Sequence, residues 1–272
     1  MTDLLCLTVT KDRPHFMPWL ATVFRRIEWP WGEKHLAVFV DGAAGPYKEM
    51  LPAVARRLDQ PAPVDISIHA TAIYNSLGDH RQHALEVACS IARYKAGLHS
   101  TWITWMDDDD WRHPAMAKSV FQATRGLLHS DQLRLIVPRC GRNVLIDVAT
   151  GRWAETPKQV HWYETMIRAD LALELEPFMP VNISEDYYWH QNAVSLAEAL
   201  GPDAIHTVEW RGTYSSANLF HTTNIACKDF EQAWSTSPHR GKNVTAMVDR
   251  FPEEAFMELC MRISNARNQA RS

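Results

Sequence analysis

No run of about 18 apolar residues occurs anywhere in the chain, which excludes a membrane-spanning helix of ordinary length. Glycine is scarce, at 11 of 272 residues, and none falls in a G-x-G-x-x-G or Walker A pattern. Neither the dinucleotide fingerprint nor the P-loop is therefore present. Cysteine is sparse as well: Cys6, Cys89, Cys140, Cys227 and Cys260 are odd in number, far apart, and include no C-x-x-C pair. That argues against a disulfide framework or a structural zinc site and for reduced thiols. No His-Glu-x-x-His stands for a zinc hydrolase. Positive charge is not in excess: 28 Lys and Arg against 32 Asp and Glu leave −4. A polybasic protein is excluded, a local basic patch is not. The first ten residues place Asp3 ahead of an apolar run with no basic region, so they read as a strand and not an export signal, and the expected location is the cytoplasm. Internal repeats and low-complexity linkers are also missing.

What is present is a hydrophobic content of 46%, enough for a large buried core, and 11 tryptophans. Strand-like runs over Leu4–Thr10, His35–Val40, Val64–His69 and Thr101–Met106 alternate with helical segments over Pro14–Ile27, Tyr47–Leu58, Asp79–Ala96 and Pro114–Leu128. That order predicts parallel strands with crossover helices. Ligands of such sheets bind beyond the carboxyl ends of the strands. Three of these ends are polar here: Thr8-Val-Thr-Lys-Asp-Arg13, Asp41-Gly42 and Asp107–Asp110. Further on, Leu133–Pro138, Asn143–Val148, Val160–Arg168 and Ala204–Trp210 read as strands, and Ser184–Leu200 and Glu253–Ile263 as helices, with Ser184 as N-cap. Tyr214–Asn224 reads as irregular and Gly241–Val244 as a mobile segment suited to a lid.

Asp107-Asp108-Asp109-Asp110 follows the apolar run Trp102–Met106. Adjacent carboxylates repel one another unless a cation or solvent relieves them. If the strand continued, Asp107 and Asp109 would face one way and offer two hard oxygen ligands to Mg²⁺ or Mn²⁺.

The segment Trp105-Met-Asp-Asp-Asp-Asp-Trp-Arg-His-Pro114 resembles the Asp-x-Asp-Asp-aromatic-x-x-Pro stretch of family 2 glycosyltransferases with the GT-A fold. Thr8–Arg13 is similar to the end of that family's first strand, and Val38–Gly42 to the end of its second. Leu77-Gly-Asp-His-Arg81-Gln82 is similar to its Gly-x-x-x-Arg-Asn segment, with Gly and Arg three apart and Gln in the last place. Ser184-Glu-Asp-Tyr-Tyr-Trp189 matches its Glu-Asp-aromatic segment. The likeness runs over residues 3–200.

The resemblance implies an α/β fold with a GT-A-type, Rossmann-like, mostly parallel central sheet and flanking helices. Residues 1–212 would form that domain, 1–115 its nucleotide-binding half and 116–212 its acceptor half. A C-terminal loop and helical extension over 213–272 would pack on it. The implied activity is metal-dependent, inverting transfer of a sugar from a nucleotide-diphosphate sugar, most often a UDP-sugar, to an acceptor hydroxyl. Thr8, Thr10 and Asp41 would line the nucleoside pocket, and Arg13 and Arg81 would meet nucleotide or phosphate. Asp107 would touch ribose or metal, Asp109 would ligate Mn²⁺ or Mg²⁺, and Asp110 would either support these ligands from behind or point at the donor sugar. Asp108 would face solvent. Asp186 would be the general base, with Glu185 next, each kept ionised by the helix start. His221 would be a late metal ligand. Trp111, Trp189 and Trp210 are candidates to stack on sugar, and Trp102 and Trp105 to pack the sheet.

A nucleotidyltransferase shares the acidic strand end and the metal but usually carries a glycine-rich first loop, which Thr-Lys-Asp-Arg is not. A non-catalytic sugar- or metal-binding relative would have little reason to keep acids at both places. The acceptor is open: a saccharide, a protein, or a hydroxymethylated base in DNA. DNA would need a basic track, and Arg25-Arg26, Arg56-Arg57 and His239–Lys242 are only short pieces of one, the first two close to acids.

Overall fold

The computed structural model describes residues 2–57, 65–124, 132–139, 143–156, 164–182, 185–210, 214, 216–220, 230–237, 239–242 and 250–269. Its first half is the alternation that the sequence predicts. β1 (Asp3–Thr10), α1 (Met17–Arg26), β2 (Lys34–Asp41), α2 (Gly45–Arg57), β3 (Ile66–Thr71), α3 (Leu77–Tyr94) and β4 (Thr101–Trp105) follow in order. β5 (Asp110–Arg112), α4 (Met116–Ala123), β6 (Leu135–Arg139), β7 (Asn143–Asp147), β8 (Trp153–Thr156), β9 (Met166–Arg168) and α5 (Ala169–Ala172) come next. The chain continues through α6 (Glu185–Leu200), β10 (Ile205–Glu209), β11 (Ser216–Phe220), α7 (Phe230–Thr236), β12 (Arg240–Gly241) and α8 (Glu253–Gln269).

Seven strands form the main sheet in the order β10-β6-β9-β4-β1-β2-β3. β1 pairs in parallel with β2 and β4, β2 with β3, and β10 with β6. Only the three-residue β9 runs antiparallel, between β4 and β6. The buried strands carry apolar residues on both faces, as a sheet covered on both sides requires. Leu4 and Cys6 of β1, with Leu36, Val38 and Val40 of β2, enter a core closed by α1, α4 and α8. Leu5, Leu7 and Val9, with Ala37 and Phe39, enter a second core under α3, α5 and α6. The period of two in β1 and β2 thus divides them between the two cores.

A second sheet, β12-β8-β7-β11-β5, stands beside the first. β5 begins at Asp110, so the acidic run passes from the end of β4 in one sheet to the start of β5 in the other. β11 lies between β7 and β5. Ser216–Phe220 was expected to be irregular, and two-sided hydrogen bonding makes it a strand. Of the strand expected over Val160–Arg168, the described part is Met166–Arg168. Ser184, the expected N-cap, His221, and residues 243–244 of the expected lid lie outside the described residues. Among the described residues no helix is long and apolar enough to cross a membrane.

Candidate active site

The carboxyl ends of β1, β2 and β4 lie on one edge of the main sheet, because the three strands are parallel neighbours. Past Trp105 the chain stays stitched to β1. Met106 N–H donates to Leu7 O at 2.8 Å, and the buried Thr8 hydroxyl donates to Met106 O. The Thr10 hydroxyl donates to Asp108. Both threonines line this edge with their hydroxyls already engaged by protein.

The alternation expected of Asp107 and Asp109 does not occur, because β4 ends at Trp105 and the chain turns. Asp110 N–H donates to Asp107 O at 3.3 Å across that turn. The four carboxylates part in three directions. Asp107 meets Arg81 at 3.2 Å. Asp108 and Asp109 share Arg13, at 2.7 and 2.8 Å. Asp110 accepts from Asn218 of β11 at 2.7 Å. Asp108 was expected to face solvent, and it is 2% exposed. Its contacts with Thr10 and Arg13 explain the inward turn.

Arg13 is held in place by Tyr47 of α2, whose hydroxyl accepts the Arg13 backbone N–H at 2.8 Å. Arg81 is a buried guanidinium on α3, 5.1 Å from the ring centre of Trp105. It joins two acids, Asp107 and Glu185, each at 3.2 Å. Its Nη1 is buried with no hydrogen-bond partner, and so are Asp110 Oδ2 and Asp41 Oδ1. Asp41, at the end of β2, pairs through its other oxygen with the exposed Lys11 at 2.7 Å.

Acid outweighs base in this cluster. Burial pushes Asp108 up to about 7, against the pull of Arg13 and with the push of Asp109. Burial raises Asp107 against Arg81, with Asp109 adding to the rise. Burial raises Asp110 well above the ordinary carboxylate value, and Asp109 and Asp107 add to it. Burial acts to lower the Arg81 pKa, but the charges of Asp107, Glu185 and Asp186 more than reverse it. Among the described residues no three His, Cys, Asp or Glu side chains form a metal-binding group.

Glu185 and Asp186 open α6. Glu185 is 3% exposed and turned to Arg81, and burial raises its pKa. This corrects the expectation from the helix dipole, because desolvation outweighs it here. Asp186 is half-buried and accepts from Tyr187 N–H at 2.8 Å. Its charge acts on both Asp107 and Arg81, so the two acidic segments, far apart in sequence, meet across Arg81.

The segment before α6 is anchored on α3. Gly78 N–H donates to Val181 O at 3.0 Å, and Leu77 N–H to Asn182 Oδ1 at 2.8 Å. Phe178 N–H donates to Gln82 Oε1 at 3.2 Å. A Cβ at Gly78 would lie 1.8 Å from Met179 O, so glycine is what permits the approach. Ser76 caps α3, accepting Asp79 N–H at 3.1 Å, which fixes the turn that presents Arg81.

Two sugar-stacking candidates are core residues. Trp111 is 1% exposed and Trp189 3%, the latter stacked on Phe178 at 5.1 Å. Trp210 is half-buried beside His113, at 5.1 Å. Trp102 and Trp105 are buried, as expected. The sequence reading missed Tyr47 and Asn218, which hold Arg13 and Asp110, because only pairing across α2 and β11 brings them there. The close pair His80 and His83 is no metal pair: His80 stacks on Tyr74 at 5.1 Å, and burial lowers its pKa to about 4.

No known protein family matches the chain in sequence, and no curated protein does. The fold does have counterparts. The crystal structure of S. aureus TarS 1-349 in complex with UDP-GlcNAc matches with a TM-score of 0.55 at 10% identity, over 82% of this chain and 60% of that one. TarS 1-349 with UDP matches with a TM-score of 0.54 at 11% identity, over 81% of this chain and 61% of that one. TarS 1-349 alone matches with a TM-score of 0.52 at 12% identity, over 80% and 60%.

The chain has a GT-A-like fold. Identities this low speak to fold alone. The chain spans about three fifths of the length of the TarS structures. Thr8, Thr10, Arg13, Asp41 and Asp107–Asp109 stand at or just past the carboxyl ends of β1, β2 and β4, where α/β sheets bind ligands, and Arg81, Glu185 and Asp186 approach them from α3 and α6.

Proposed function

We propose that this protein transfers a sugar from a UDP-sugar, with a divalent cation, to an acceptor hydroxyl with inversion. The observation that carries the reading is the meeting of Asp107–Asp110 with Glu185 and Asp186 around Arg13 and Arg81 at the sheet edge. The UDP-GlcNAc complex of TarS, whose fold this chain shares, supports a nucleotide-sugar donor.

The acidic cluster fits a hard divalent cation. It is short of positive charge, it keeps a buried carboxylate oxygen of Asp110 without a partner, and its donors are all oxygens. Asp109 and Asp107 would hold the ion, and since no third protein ligand joins them among the described residues, donor phosphate and water would complete its shell. His221 remains a candidate further ligand. The cation would supply charge stabilisation for the departing diphosphate. Arg13 and Arg81 would bind phosphate through planar guanidinium forks, Arg81 through its free buried Nη1. Asp41 would take an N–H of the base on its unpartnered oxygen, beside Thr8 and Thr10.

Between the two acids of α6, accessibility favours Asp186 as the general base. Glu185 is bound to Arg81, while Asp186 is half-exposed and free to meet a hydroxyl. A thermal-shift series with UDP-GlcNAc, other UDP-sugars and GDP- and dTDP-sugars, each with and without Mn²⁺, tests the reading. A ligand that binds only the folded state raises Tm. A UDP-sugar with Mn²⁺ is expected to give the largest rise, and a flat series would overturn the proposal.

A further inference from the structure

The sheet face under α3 carries a polar group that the candidate active site does not use. In the parallel pair β2–β3, Ala37 stands beside Ser67 and Phe39 beside His69. His35 shares the face of Ala37 and Phe39, because side chains alternate along a strand. Ala37 offers only a methyl between the two larger rings of β2, and here two imidazoles close on one hydroxyl. His35 Nε2 and His69 Nε2 each lie 2.8 Å from Ser67 Oγ. All three side chains are half-buried, so water can reach them. Strand β1 separates this pair of strands from β4 and the acidic run.

Two N···O edges of 2.8 Å make a hydrogen-bonded chain, and they also have the spacing of neighbouring ligands on one ion. Two donors at right angles, with bonds of about 2.05 Å, stand about 2.9 Å apart. Ser67 has one proton, so only one imidazole accepts it and the other donates its Nε2–H. On coordination the donating ring carries its proton on Nδ1 instead, both Nε2 lone pairs face the ion, and no net proton leaves. Burial favours the neutral rings. It lowers His35 to about 4, with Lys95 adding and Asp65 opposing, and it lowers His69, with Lys48 and His83 adding. Protons therefore compete little with a metal at neutral pH. Phe39, stacked on His69 at 4.9 Å and 15°, fixes the plane of that ring.

We propose that His35, Ser67 and His69 form a site for one transition-metal ion of the Cu²⁺ or Ni²⁺ class, which ties the edge strand β3 to β2. Two imidazoles and a hydroxyl at right-angle spacing suit these tetragonal N,O ions. Tetrahedral Zn²⁺, whose ligand edges are about 3.3 Å, fits the spacing less well. Hard Mg²⁺ and Mn²⁺ prefer oxygen donors and would go to the acidic run instead. No third His, Cys, Asp or Glu joins the pair among the described residues, so water fills the remaining positions. Lys48 and Lys95 repel an ion here, and Asp65, which also pairs with Arg25 at 3.5 Å, attracts it. The site is independent of the function proposed above.

The test is a Cu²⁺ titration of the full chain, carrying no added histidines, read by calorimetry and by electron paramagnetic resonance. The native protein is expected to take one ion whose spectrum shows two imidazole nitrogens. His35→Gln and His69→Gln keep a polar group for Ser67, and each should weaken binding at least about tenfold. His83→Gln should leave it unchanged, since that ring meets the edge of Phe39 at 6.4 Å and not Ser67. Excess Mn²⁺ should leave the Cu²⁺ in place. Native affinity in both Gln variants overturns the site, and so does a native protein that keeps no Cu²⁺ or gives it up to Mn²⁺. Should a Gln variant fail to fold, the native spectrum decides, because a signal without two imidazole nitrogens is adventitious binding only and overturns the site. A protein that binds Cu²⁺ as expected while no sugar nucleotide stabilises it keeps the metal site and loses the transferase reading instead.

Discussion

The guanidinium of Arg81 lies 3.2 Å from the carboxylate of Glu185, and both side chains are nearly inaccessible, at 5% and 4% exposure. The same guanidinium holds Asp107 and covers Trp105, so one residue of α3 ties the end of β4 to the start of α6. Arg81→Ala leaves a buried acid unpaired, a change of about 3 to 5 kcal/mol in folding stability. Lys offers a point charge in place of a planar fork, so Arg81→Lys should recover only part of the loss. Urea denaturation measures both. An Ala variant within about 0.5 kcal/mol of native, the range of an ordinary surface change, would show that Arg81 does not hold the two acids.

Gly78 is the second joint. With a Cβ 1.8 Å from Met179 O, Gly78→Ala must push the 178–182 segment off α3 or strain it. A cost of about 1 to 3 kcal/mol follows, on the scale of overpacking. Since that segment leads into α6, the variant should also lose turnover while retaining its donor thermal shift. A Gly78→Ala protein with native stability and native turnover would contradict the close approach.

His80 and His190 are both buried, and burial lowers each pKa to about 4, against an ordinary 6.5. With a depressed folded value, the unfolded chain binds more protons between pH 6.5 and 4. Each neutral histidine therefore contributes stability that is present above pH 6.5 and lost as pH falls toward 4. The slope is at most about 1.4 kcal/mol per pH unit per group. His190→Gln should flatten the pH dependence of urea midpoints over this window by close to one proton's worth. An unchanged slope would mean that the fold leaves the His190 pKa at its ordinary value.

Much of this fold is legible in the sequence because its strands are buried on both faces and their apolar runs are unbroken, as in Leu4–Thr10 and His35–Val40. The acidic run and Glu185-Asp186 are legible as residues, but not as geometry. That Asp108 turns inward depends on Arg13, and Arg13 depends on Tyr47, 34 residues away. The burial of Trp111 and Trp189 is set by which face of β5 and α6 meets a core, which a three-residue strand and one helical turn do not declare. Ser216–Phe220 has little strand character of its own and becomes a strand through its neighbours.

Asp109 pairs with Arg13 at 2.8 Å, so a cation held there, as proposed, would compete with Arg13 for the same carboxylate. Asp109→Asn should therefore remove the Mn²⁺-dependent part of the UDP-sugar thermal shift and leave the metal-free part, which rests on base and guanidinium contacts. The comparison is Tm with UDP-GlcNAc plus Mn²⁺ against UDP-GlcNAc plus EDTA, in native and variant. An Mn²⁺ increment that survives in Asp109→Asn moves the cation elsewhere.

Asp186 is the sharper test of the chemistry. It differs from Glu185 in having no arginine bound to it through a short ion pair among the described contacts, and in its partial exposure. Asp186→Asn keeps the size and the hydrogen bond from Tyr187 N–H but removes the group proposed to take the acceptor proton. Donor binding should then stay native while sugar transfer falls about 10²- to 10⁴-fold, the usual scale of a lost general base. Glu185→Gln should act differently, lowering stability through Arg81 and turnover only as the site loosens. The deciding measurement is turnover beside Tm for the two variants. Native turnover in Asp186→Asn with collapse in a well-folded Glu185→Gln would exchange their roles, because the proton would then leave through the acid that Arg81 holds.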